Sequence, residues 1–408
     1  MEVKVLSIGQ ICKRFSSGKN ITSQNISEEG VYPVYGGNGL RGYTDTYNFE
    51  GECAIVGRQG AYCGNVKYVR GKAYMSEHAI VAVTNSEHNN KYFYYKLSLA
   101  KLGRFSGQAA QPGLSVTKLL RLKLEMPSRK YQDVIASILS TYDTLIENNT
   151  KRIRLLEKMA ENLYKEWFVR FRFPGHENVE MENSKYGKLP KTFEIVKMNE
   201  VFDYYIGGGW GEEERSEGFP EEASVIRGAD FPNIWHYDVS SCPKRYHKAK
   251  NYKARQLEDG DIIMEISGGT SEQPVGRTVL VTEDLLERFP NKRLICASFC
   301  KLIRLKKDVV SPYYFYYWMK FLYDTRIIDR FQLQSTGIIN FKFEPFLRRG
   351  DVVLPPKEVM LAFEKQVSLC HKEMNQLAKQ NSLLARQRDL LLPRLMSGKL
   401  EVKEELLE

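Results

Sequence analysis

The sequence predicts an α+β protein with a pseudo-twofold internal repeat, in which two mixed α/β domains are separated by an antiparallel coiled coil of two helices. Segments of similar pattern recur in the same order about 200 residues apart along the 408-residue chain. In each copy, short runs of β-branched and aromatic residues alternate with Gly, Asn and Pro, which is typical of strands and turns. Each copy then changes to a helical period of apolar residues, which predicts a long amphipathic helix.

Four stretches of the first copy have counterparts in the second. The offset between them grows from 190 residues at the first stretch to 232 residues in the helices, so the second copy carries 42 extra residues. A duplicated unit within one chain has approximate twofold symmetry, which suits a two-sided target such as double-helical DNA. The corresponding stretches are 8–11 and 198–201, 51–55 and 260–264, 92–95 and 313–317, and 122–127 and 350–355.

The predicted domain boundaries follow this repeat. Ser128, directly after Pro127, is a plausible N-cap for the first helix, and Pro393 is expected to end the second helix. In the first domain we predict strands at 31–35, 53–56, 66–69 and 79–83, and a short helix at 91–100. The predicted divisions are a first globular domain at 1–127, a first helix at 128–170, a linker at 171–190, a second globular domain at 191–356, and a second helix with a C-terminal tail at 357–400.

Both helices carry apolar residues at heptad spacing, which indicates helices that pack along their length. Asn149 and Asn381 occupy the same step of the heptad, where a buried Asn disfavours slipped registers; a solvent-facing Asn is the alternative. Arg152 and Arg388 interrupt the apolar seam. The predicted seam residues are Ile135, Tyr142, Asn149, Leu156, Val367, Met374, Asn381 and Leu384, with Ile138, Leu145 and Met159 at the complementary position of the first helix.

The length of the helices predicts a spacer. A helix of about 40 residues is about 60 Å long. An antiparallel pair of that length would hold two globular domains apart by one to two turns of DNA, since one turn is about 34 Å.

The composition favours an anionic partner and a cytoplasmic location. The formal net charge is +10, which is suited to nucleic acid but not specific for it. The seven cysteines form no CxxC pair, so we expect reduced thiols and no metal site. Neither a signal peptide nor a run of about 18 apolar residues is present, so we expect no membrane contact.

A Gly-rich stretch at 37–42 matches the GxGxxG pattern of dinucleotide-binding folds. That pattern needs a preceding buried strand and a following helix, whereas Pro33 lies in the preceding strand and no helical period follows. We therefore exclude nucleotide binding. Two interpretations stay open: a plain hairpin turn, or a loop whose amides approach phosphate while Arg41 and Tyr43 reach bases or sugars.

Two further pairs of loops occupy matching places in the two domains. The loops at 57–60 and 266–271 each follow the corresponding strand, and those at 107–113 and 334–340 each precede the final strand. Arg and Gln are the side chains that make bidentate contacts with guanine and adenine edges. The candidate DNA-contacting residues are Gly37, Asn38, Arg41, Tyr43, Arg58, Gln59, Gln108, Gln111, Trp210, Arg227, Ser267, Thr270, Arg277, Gln334, Ser335 and Thr336.

The sequence contains no recognisable catalytic site. It lacks the Asn/Asp-Pro-Pro-aromatic tetrad of amino-methyltransferases, the P-loop of ATPases and the common nuclease motif. Asp259, Asp261 and Glu265 could be imagined as a metal cluster, but their spacing fits a turn leading into a strand. We therefore predict no catalytic residue, no bound metal and no cofactor for this chain.

With these features in view, the chain resembles the specificity subunit of type I restriction-modification systems over essentially its whole length. The stretches that carry the resemblance are 33–39, 111–115, 146–153 and 386–400. The resemblance implies two target recognition domains that each read one half of a bipartite duplex DNA sequence. Because the second domain is longer and its pre-helix loop differs, the two half-sites are expected to differ.

The resemblance also implies an assembly. Two modification subunits would methylate adenine with S-adenosylmethionine, and restriction subunits would use ATP and Mg²⁺, so all catalysis and all cofactors would lie in these partners. Leu155, Trp167 and Phe168 are expected either to contact the partners or to pack in the protein core.

Two alternatives belong to other functional classes. The first is an enzyme, a fused modification-restriction protein, which the missing tetrad disfavours. The second is a non-catalytic nucleic-acid-binding coiled-coil scaffold, including an RNA-binding protein.

Overall fold

The computed structural model describes residues 3–60, 62–107, 113–270, 273–335 and 338–402. The chain divides into two compact units. Unit 1 comprises Met1–Glu147 and Ser382–Glu408, and unit 2 comprises Asn148–Asn381. Each unit therefore contains one strand-rich block and one part of each long helix.

Unit 1 contains eight strands and three short helices within its described part. The strands are β1 (Val3–Ser7), β2 (Cys12–Ser17), β3 (Tyr32–Gly36), β4 (Gly39–Thr44), β5 (Phe49–Gly57), β6 (Val66–Met75), β7 (Ala79–Thr84) and β8 (Lys123–Pro127). The short helices are α1 (Ile8–Ile11), α2 (Asn90–Leu99) and α3 (Val116–Leu120). Six strands form one sheet in the order β2-β7-β5-β6-β3-β4, and β1 pairs with β8. The four strands and the short helix predicted for this domain are confirmed.

The sheet of unit 1 buries apolar side chains on both faces. On β7, Ile80 and Ala82 pack with Phe93 of α2, while Val81 belongs to a second cluster with Ile55. Successive residues of a strand point to opposite faces, so a strand covered on both sides is apolar throughout. This explains why every residue of β7, Ala79–Thr84, is buried.

Unit 2 is larger and contains further small sheets. Its strands are β9 (Met181–Ser184), β10 (Gly187–Pro190), β11 (Glu194–Lys197), β12 (Phe202–Gly207), β13 (Glu221–Ile226), β14 (Lys244–His247), β15 (Ile262–Glu265), β16 (Ser267–Gly269), β17 (Thr278–Leu280), β18 (Leu294–Cys296), β19 (Cys300–Leu305), β20 (Gln332–Ser335), β21 (Ile338–Phe341) and β22 (Asp351–Leu354). The main sheet has the order β12-β19-β15-β17, and the others are β14-β13-β18, β16-β21-β20, β11-β22 and β10-β9.

The helices of the chain include two of exceptional length. The long helices are α4 (Arg129–Tyr164), which follows directly after Ser128 and continues as a π-helical turn to Val169, and α11 (Lys357–Met396). The short helices of unit 2 are α5 (Met198–Val201), α6 (Phe231–Ile234), α7 (Ala249–Arg255), α8 (Glu283–Leu286), α9 (Pro312–Asp324) and α10 (Phe343–Arg349). Throughout the described ranges, no helix is both long enough and apolar enough to cross a membrane.

The internal repeat is present at the level of individual hydrogen bonds. In unit 1, β1 pairs antiparallel with β8 and the amide of Ile8 donates to Leu122 O at 2.9 Å. In unit 2, β11 pairs antiparallel with β22 and the amide of Met198 donates to Gly350 O at 3.0 Å. The stretches predicted to correspond therefore occupy equivalent positions in the two blocks.

A glycine follows the second strand of each block and is required there by a close approach. Gly18 donates to Ala79 O at 3.0 Å, and Gly208 donates to Cys300 O at 2.9 Å. A Cβ atom would lie 2.1 Å from a carbonyl oxygen at either position. Only glycine fits such a contact without displacing the backbone. The loops that follow these glycines differ between the units in length and side chains.

The two long helices pack antiparallel. Within unit 2, Asn149 Nδ2 donates to Gln380 Oε1 at 3.3 Å, and Arg152 forms an ion pair with Glu373 at 2.8 Å. As the residue number increases along α4, the number of its partner on α11 decreases, as expected for antiparallel helices. Asn149 is buried, as predicted, and Asn381 donates to the Thr150 hydroxyl at 3.3 Å, so the two Asn residues bond to neighbours of one another.

The predicted seam is half correct on α4. Ile135 is buried as expected, but Leu145 and Met159 are exposed, the latter by 60%. The buried residues lie four positions after the predicted ones rather than three, at Leu139, Ile153 and Ala160. A heptad admits either spacing, and the choice depends on which side of the helix the blocks cover. Predicted seam positions that are buried on α11 are Val367 and Met374, while Tyr142, Leu156, Asn381, Leu384 and Ile138 are half-buried.

The expectation that Pro393 ends the second helix was wrong. The proline lies inside α11, which continues for three more residues. Leu395 and Met396, in that last turn, are buried in the core of unit 1. The burial of these two side chains stabilises the additional helical turn after Pro393. The helix then ends before Gly398, whose φ is +72°.

The segment predicted as a linker is structured. Residues 181–190 form the hairpin β9-β10, and Phe173 before it is buried in the core of unit 2. Trp167 and Phe168 are also buried there, against Phe363 of α11. Of the two roles expected for these residues, partner contact or core packing, the structure shows core packing.

A carboxylate on α4 anchors the strand-rich block of unit 1 to both helices. Asp143 accepts hydrogen bonds from Tyr95 Oη at 2.5 Å and Arg388 Nη1 at 2.8 Å, and Lys91 Nζ lies 3.0 Å away. Burial alone would raise the pKa of Asp143, but the hydrogen bonds from Tyr95 and Arg388 hold it below its usual range. The arginine that interrupts the apolar seam is therefore paired.

Unit 2 uses a histidine on α11 for the same purpose. Tyr317, the counterpart of Tyr95, lies 2.9 Å from His371 Nε2, and Tyr237 Oη lies 2.9 Å from Nδ1. A neutral imidazole donates one of these bonds and accepts the other. Burial lowers the pKa of His371 to about 4, so the ring is neutral at physiological pH.

Replacing Asp143 tests the anchor of unit 1. We expect Asp143→Ala to lower the free energy of unfolding by about 2–3 kcal/mol, because Arg388 and Lys91 lose their partner in a largely buried site. Urea denaturation measures the change. Arg70→Ala, which breaks the exposed Arg70–Glu52 pair, is the control and should cost less than about 1 kcal/mol. Equal losses in the two variants would contradict the anchor.

His371 predicts a specific pH dependence of stability. The unfolded chain binds a proton at this histidine below its ordinary pKa of about 6.5, whereas the folded protein does so only near pH 4. The contribution is therefore fully present above pH 6.5 and falls by about 3 kcal/mol as the pH approaches 4. Urea denaturation at several pH values should show a shallower dependence for His371→Gln, while the control His176→Gln, at a half-buried histidine, should behave as the wild type.

Candidate nucleic-acid interface

Three loops of unit 1 converge around Arg58. The amide of Arg58 donates to His78 O at 2.9 Å, and its carbonyl accepts from the amide of Leu114 at 2.8 Å. Gln59 forms an isolated bridge with Gly113. The loop after β5 is thus held between the β6–β7 connection and the loop that precedes α3.

The hairpin turn at Gly37 and Asn38 belongs to the same cluster. A Cβ atom on Gly57 would lie 2.3 Å from Gly37 O, so the two glycines allow the turn to approach the loop after β5. The chain continues from this turn as the strand β4, and no helix follows. The glycine-rich stretch therefore lacks the following helix that a dinucleotide-binding fingerprint requires. Asn38 and Gln59 are exposed on the cluster.

The side chains of the other candidates of unit 1 are not all available at this cluster. Arg58 is half-buried and its Nη1 donates to the Ser17 hydroxyl at 3.2 Å. Arg41 is exposed and its side chain covers Gly36. Tyr43 lies at the far end of the hairpin, where its backbone pairs with Ser27. Gln108 and Gln111 lie outside the described residues.

A polar cleft of unit 1 was not found from the sequence. Its volume is about 590 Å³, and it lies in the loop that follows Gly18. Amide and hydroxyl groups of this kind can bond to base edges. The residues that line the cleft show no periodic pattern in the sequence. The one sequence signal that could have indicated the cleft is its position directly after Gly18, where the structure requires a glycine. The residues lining the cleft are Asn20, Ile21, Thr22, Gln24, Asn25, Ser27, Thr44, Asp45, Thr46 and Tyr74.

Unit 2 builds the same loop cluster with different side chains. The amide of Ile266 donates to Phe299 O at 2.9 Å, and its carbonyl accepts from the amide of Phe341 at 2.8 Å. Ile266 thus takes the place of Arg58, and Phe299 takes the place of His78. The two loops that were predicted to correspond are equivalent in their backbone contacts.

The polar residues of the unit 2 cluster are mutually bonded. The Ser267 hydroxyl donates to Asn340 Oδ1 at 2.6 Å, and the Thr270 hydroxyl accepts from the amide of Gln273 at 3.1 Å. Gln334 and Ser335 lie in β20, and Thr336 falls outside the described part of the chain.

Arg277 has a structural role, in contrast to the expectation from the sequence. Its side chain is only 7% exposed, and its Nε and Nη2 donate to Glu265 at 2.8 and 2.7 Å. Nη2 also donates to Gly228 O at 2.9 Å. A guanidinium committed in this way cannot reach a base edge while the fold is intact.

Two other candidates of unit 2 lie outside this cluster. Arg227 donates to the buried Asp230 through Nε and Nη2. Burial alone would raise the pKa of Asp230, but the hydrogen bonds from Arg227 hold it below its usual range. The indole of Trp210 is partly exposed and carries Arg245 at 4.6 Å from its centroid, beside the acidic stretch 212–214. Acidic side chains disfavour phosphate at that place.

The acidic residues considered as a metal cluster form structural contacts. Asp261 binds the guanidinium of Arg304, Asp259 accepts from the amide of Glu283, and Glu265 binds Arg277. As predicted, Asp259 and Asp261 lie in a turn that leads into β15, and Glu265 is the last residue of that strand. Over the described ranges, no group of three or more His, Cys, Asp or Glu residues could hold a metal ion.

Comparison with known proteins finds similarity to one family in the first part of the chain. Residues 1–158 match the family model of the type I restriction modification DNA specificity domain. The resemblance predicted from the sequence is therefore confirmed: the chain is similar to type I specificity subunits.

Two relatives illustrate the extent of the likeness. The EcoprrI specificity subunit of Escherichia coli is 39% identical over 166 residues, which are 40% of this chain and 41% of that subunit. The MjaIX specificity subunit of Methanocaldococcus jannaschii is 23% identical over 331 residues, which are 77% and 70% of the two chains. The chain thus aligns with less than half of the first relative's length.

A solved structure supports the fold. The S subunit of a type I restriction-modification system from M. genitalium superimposes with a TM-score of 0.57 over 97% of this chain and 96% of that chain, at 16% sequence identity. The agreement at this low identity concerns the fold alone.

Replacing Arg277 distinguishes a structural role from a DNA contact. We expect Arg277→Ala to lower the free energy of unfolding by about 3–5 kcal/mol, because it leaves Glu265 charged and buried. Denaturation in the absence of DNA measures this loss. The double variant Glu265→Leu with Arg277→Met should recover much of the stability. Unchanged stability of Arg277→Ala together with lost DNA binding would restore the original assignment.

Proposed function

We propose that this chain is the DNA-recognition subunit of a type I restriction-modification complex, in which each unit reads one half of a bipartite duplex sequence. The observation that carries the proposal is the loop cluster that both units build with the same backbone hydrogen bonds. Equivalent scaffolds with different side chains suit two related tasks on one target.

The side chains of the clusters support two unlike half-sites. Unit 1 presents Arg58 and Gln59 beside His78, whereas unit 2 presents Ile266 and Ser267 beside Phe299. A guanidinium or a carboxamide selects bases by bidentate hydrogen bonds, while apolar groups contact the thymine methyl. The net charge of +10 supplies attraction to phosphate that does not depend on sequence.

We further propose that the chain itself is not catalytic. Two modification subunits would carry S-adenosylmethionine, and restriction subunits would carry ATP and Mg²⁺. Exposed apolar residues on α4 favour such an assembly: Leu155 and Met159 lie one turn apart and are largely uncovered. Large apolar groups in neighbouring surface positions are typical of protein interfaces.

Gln59→Ala tests the assignment of one half-site to each unit. In a complex reconstituted with its modification subunits, we expect roughly a tenfold weaker preference at one half-site only, since a lost bidentate contact removes about 1–3 kcal/mol of discrimination. The target is first mapped by sequencing methylated DNA, and binding is then measured by competition with substituted duplexes. Ser267→Ala is the matched variant and should affect the other half-site.

Three outcomes would contradict the proposal. Equal losses at both half-sites argue against separate reading by the two units. Methyl transfer by the purified chain alone supports the fused enzyme. Equal binding of duplex DNA and single-stranded RNA without sequence preference supports the scaffold alternative.

A further inference from the structure

A short segment of unit 2, residues 244–255, is strongly basic. Six of its twelve residues are Lys or Arg, and none is acidic. The segment forms β14 and α7, and it lies between β12 and β15, where unit 2 is longer than unit 1. The corresponding stretch of unit 1, between β2 and β5, is described throughout and contains no α-helix. The basic helix α7 is therefore a feature of one unit.

The cations of β14 are paired with carboxylates. Lys244 Nζ lies 3.1 Å from Glu222, and Arg245 Nη1 lies 2.8 Å from Glu213. The guanidinium of Arg245 also covers the ring of Trp210. These contacts leave β14 little net charge with which to attract an outside anion.

The lysines of α7 have no such partners. The helix buries Tyr252, whereas Lys250 and Lys253 are exposed. Residues three apart lie on one face of a helix, so these like charges are neighbours and do not stabilise each other. In the described part of the chain, neither lysine forms an ion pair. Lys248, which precedes the helix, is also exposed, and its ammonium lies 5.3 Å from the centroid of the Phe219 ring.

Helix stability does not account for this charge. The helix dipole favours Lys253 in the last turn of α7 but disfavours Lys250 in the first turn. With neither an ion pair nor a favourable dipole to explain Lys250, the exposed face of α7 is suited to an anion from outside the protein.

A hydrogen bond attaches α7 to the end of the main sheet where the loop cluster of unit 2 lies. Arg255 Nε donates to Gly207 O at 2.9 Å, at the end of the edge strand β12. The next residue, Gly208, donates to Cys300 O at 2.9 Å. Cys300 pairs with the last residue of β15, directly before Ile266. The C-terminal end of α7 is thus fixed beside the loop cluster.

The chemistry of the face fits duplex DNA. A lysine ammonium binds a phosphate as a point charge on a flexible stem, whatever the neighbouring base. Contacts to phosphate position a protein on the duplex, while contacts to base edges determine the sequence that is read. Unpaired lysines beside a candidate base-reading cluster match this division of roles.

We propose that Lys250 and Lys253 of α7 bind backbone phosphates of duplex DNA beside the half-site that unit 2 reads. This inference rests on the proposed function and adds to it a sequence-independent contact that one unit alone provides. Lys248 extends the same charged surface. The contact raises the affinity for every duplex, and the preference among bases remains with the loops.

The salt dependence of binding tests the contact. The complete complex is titrated with its target duplex and with an unrelated duplex at several salt concentrations. The double variant Lys250→Gln with Lys253→Gln should weaken binding to both duplexes by the same factor. It should also lower the slope of log affinity against log salt by about 2, because each phosphate contact contributes about 0.9. Lys250→Arg with Lys253→Arg keeps both charges and should retain the wild-type slope.

Neutral phosphates locate the contact on the DNA. A methylphosphonate linkage removes the charge of one phosphate from the duplex. We expect weaker binding of the wild-type complex when such linkages flank one half-site, the same half-site that responds to Ser267→Ala. The double glutamine variant should show no response at those linkages, because it has already lost the lysines that bind there.

Lys244→Gln is the matched control, because Glu222 already neutralises that lysine, and its salt slope should equal that of the wild type. An unchanged slope in the double glutamine variant, or an undiminished response to methylphosphonate, overturns the phosphate contact. Loss of modification subunits from that variant with unchanged DNA binding assigns the face to a protein partner instead. A wild-type complex without sequence preference refutes the proposed function, whereas the salt slope still decides the phosphate contact.

Discussion

The attachment of each strand-rich block to the long helices depends on one tyrosine hydroxyl. Tyr95 binds Asp143 on α4, and its counterpart Tyr317 binds His371 on α11. Both contacts lie in largely buried surroundings, where an unpaired polar group is costly, so the partner on the helix must be correctly placed. Apolar packing alone tolerates sliding along a heptad, whereas a directional bond selects one position. The repeat has kept the tyrosine and exchanged the chemistry of its partner from a charged carboxylate to a neutral imidazole.

The loop clusters show how one backbone arrangement carries two chemistries. In unit 1 the central residue is Arg58, and in unit 2 it is Ile266, yet both donate and accept through the same main-chain groups. Because those bonds do not involve side chains, the side chains are free to differ. Position in the cluster therefore does not determine function by itself. Arg277 is a second example, because this arginine lies beside a Gly-rich loop and is nevertheless buried against Glu265.

Much of the architecture was predictable because it depends on local pattern. The strands of the first block, the two long helices and the order of the repeated segments follow from apolar periodicity, which is a property of neighbouring residues. The features that the sequence did not predict depend on contacts between residues that are not neighbours in the sequence. The side of α4 that is buried depends on what covers it, and the role of Arg277 depends on Glu265, whose backbone amide donates to Arg277 O.

The glycines after β2 and β12 have a consequence for evolution. At Gly18 and Gly208 the chain is secured by main-chain atoms and by a contact that excludes any larger residue. Substitutions in the loop that follows such a glycine do not have to preserve a packing partner. Descendants could therefore acquire new loops, even by exchange of gene fragments between strains, while inheriting a fold that is already stable. Conservation is then expected at the glycine itself and diversity immediately beyond it.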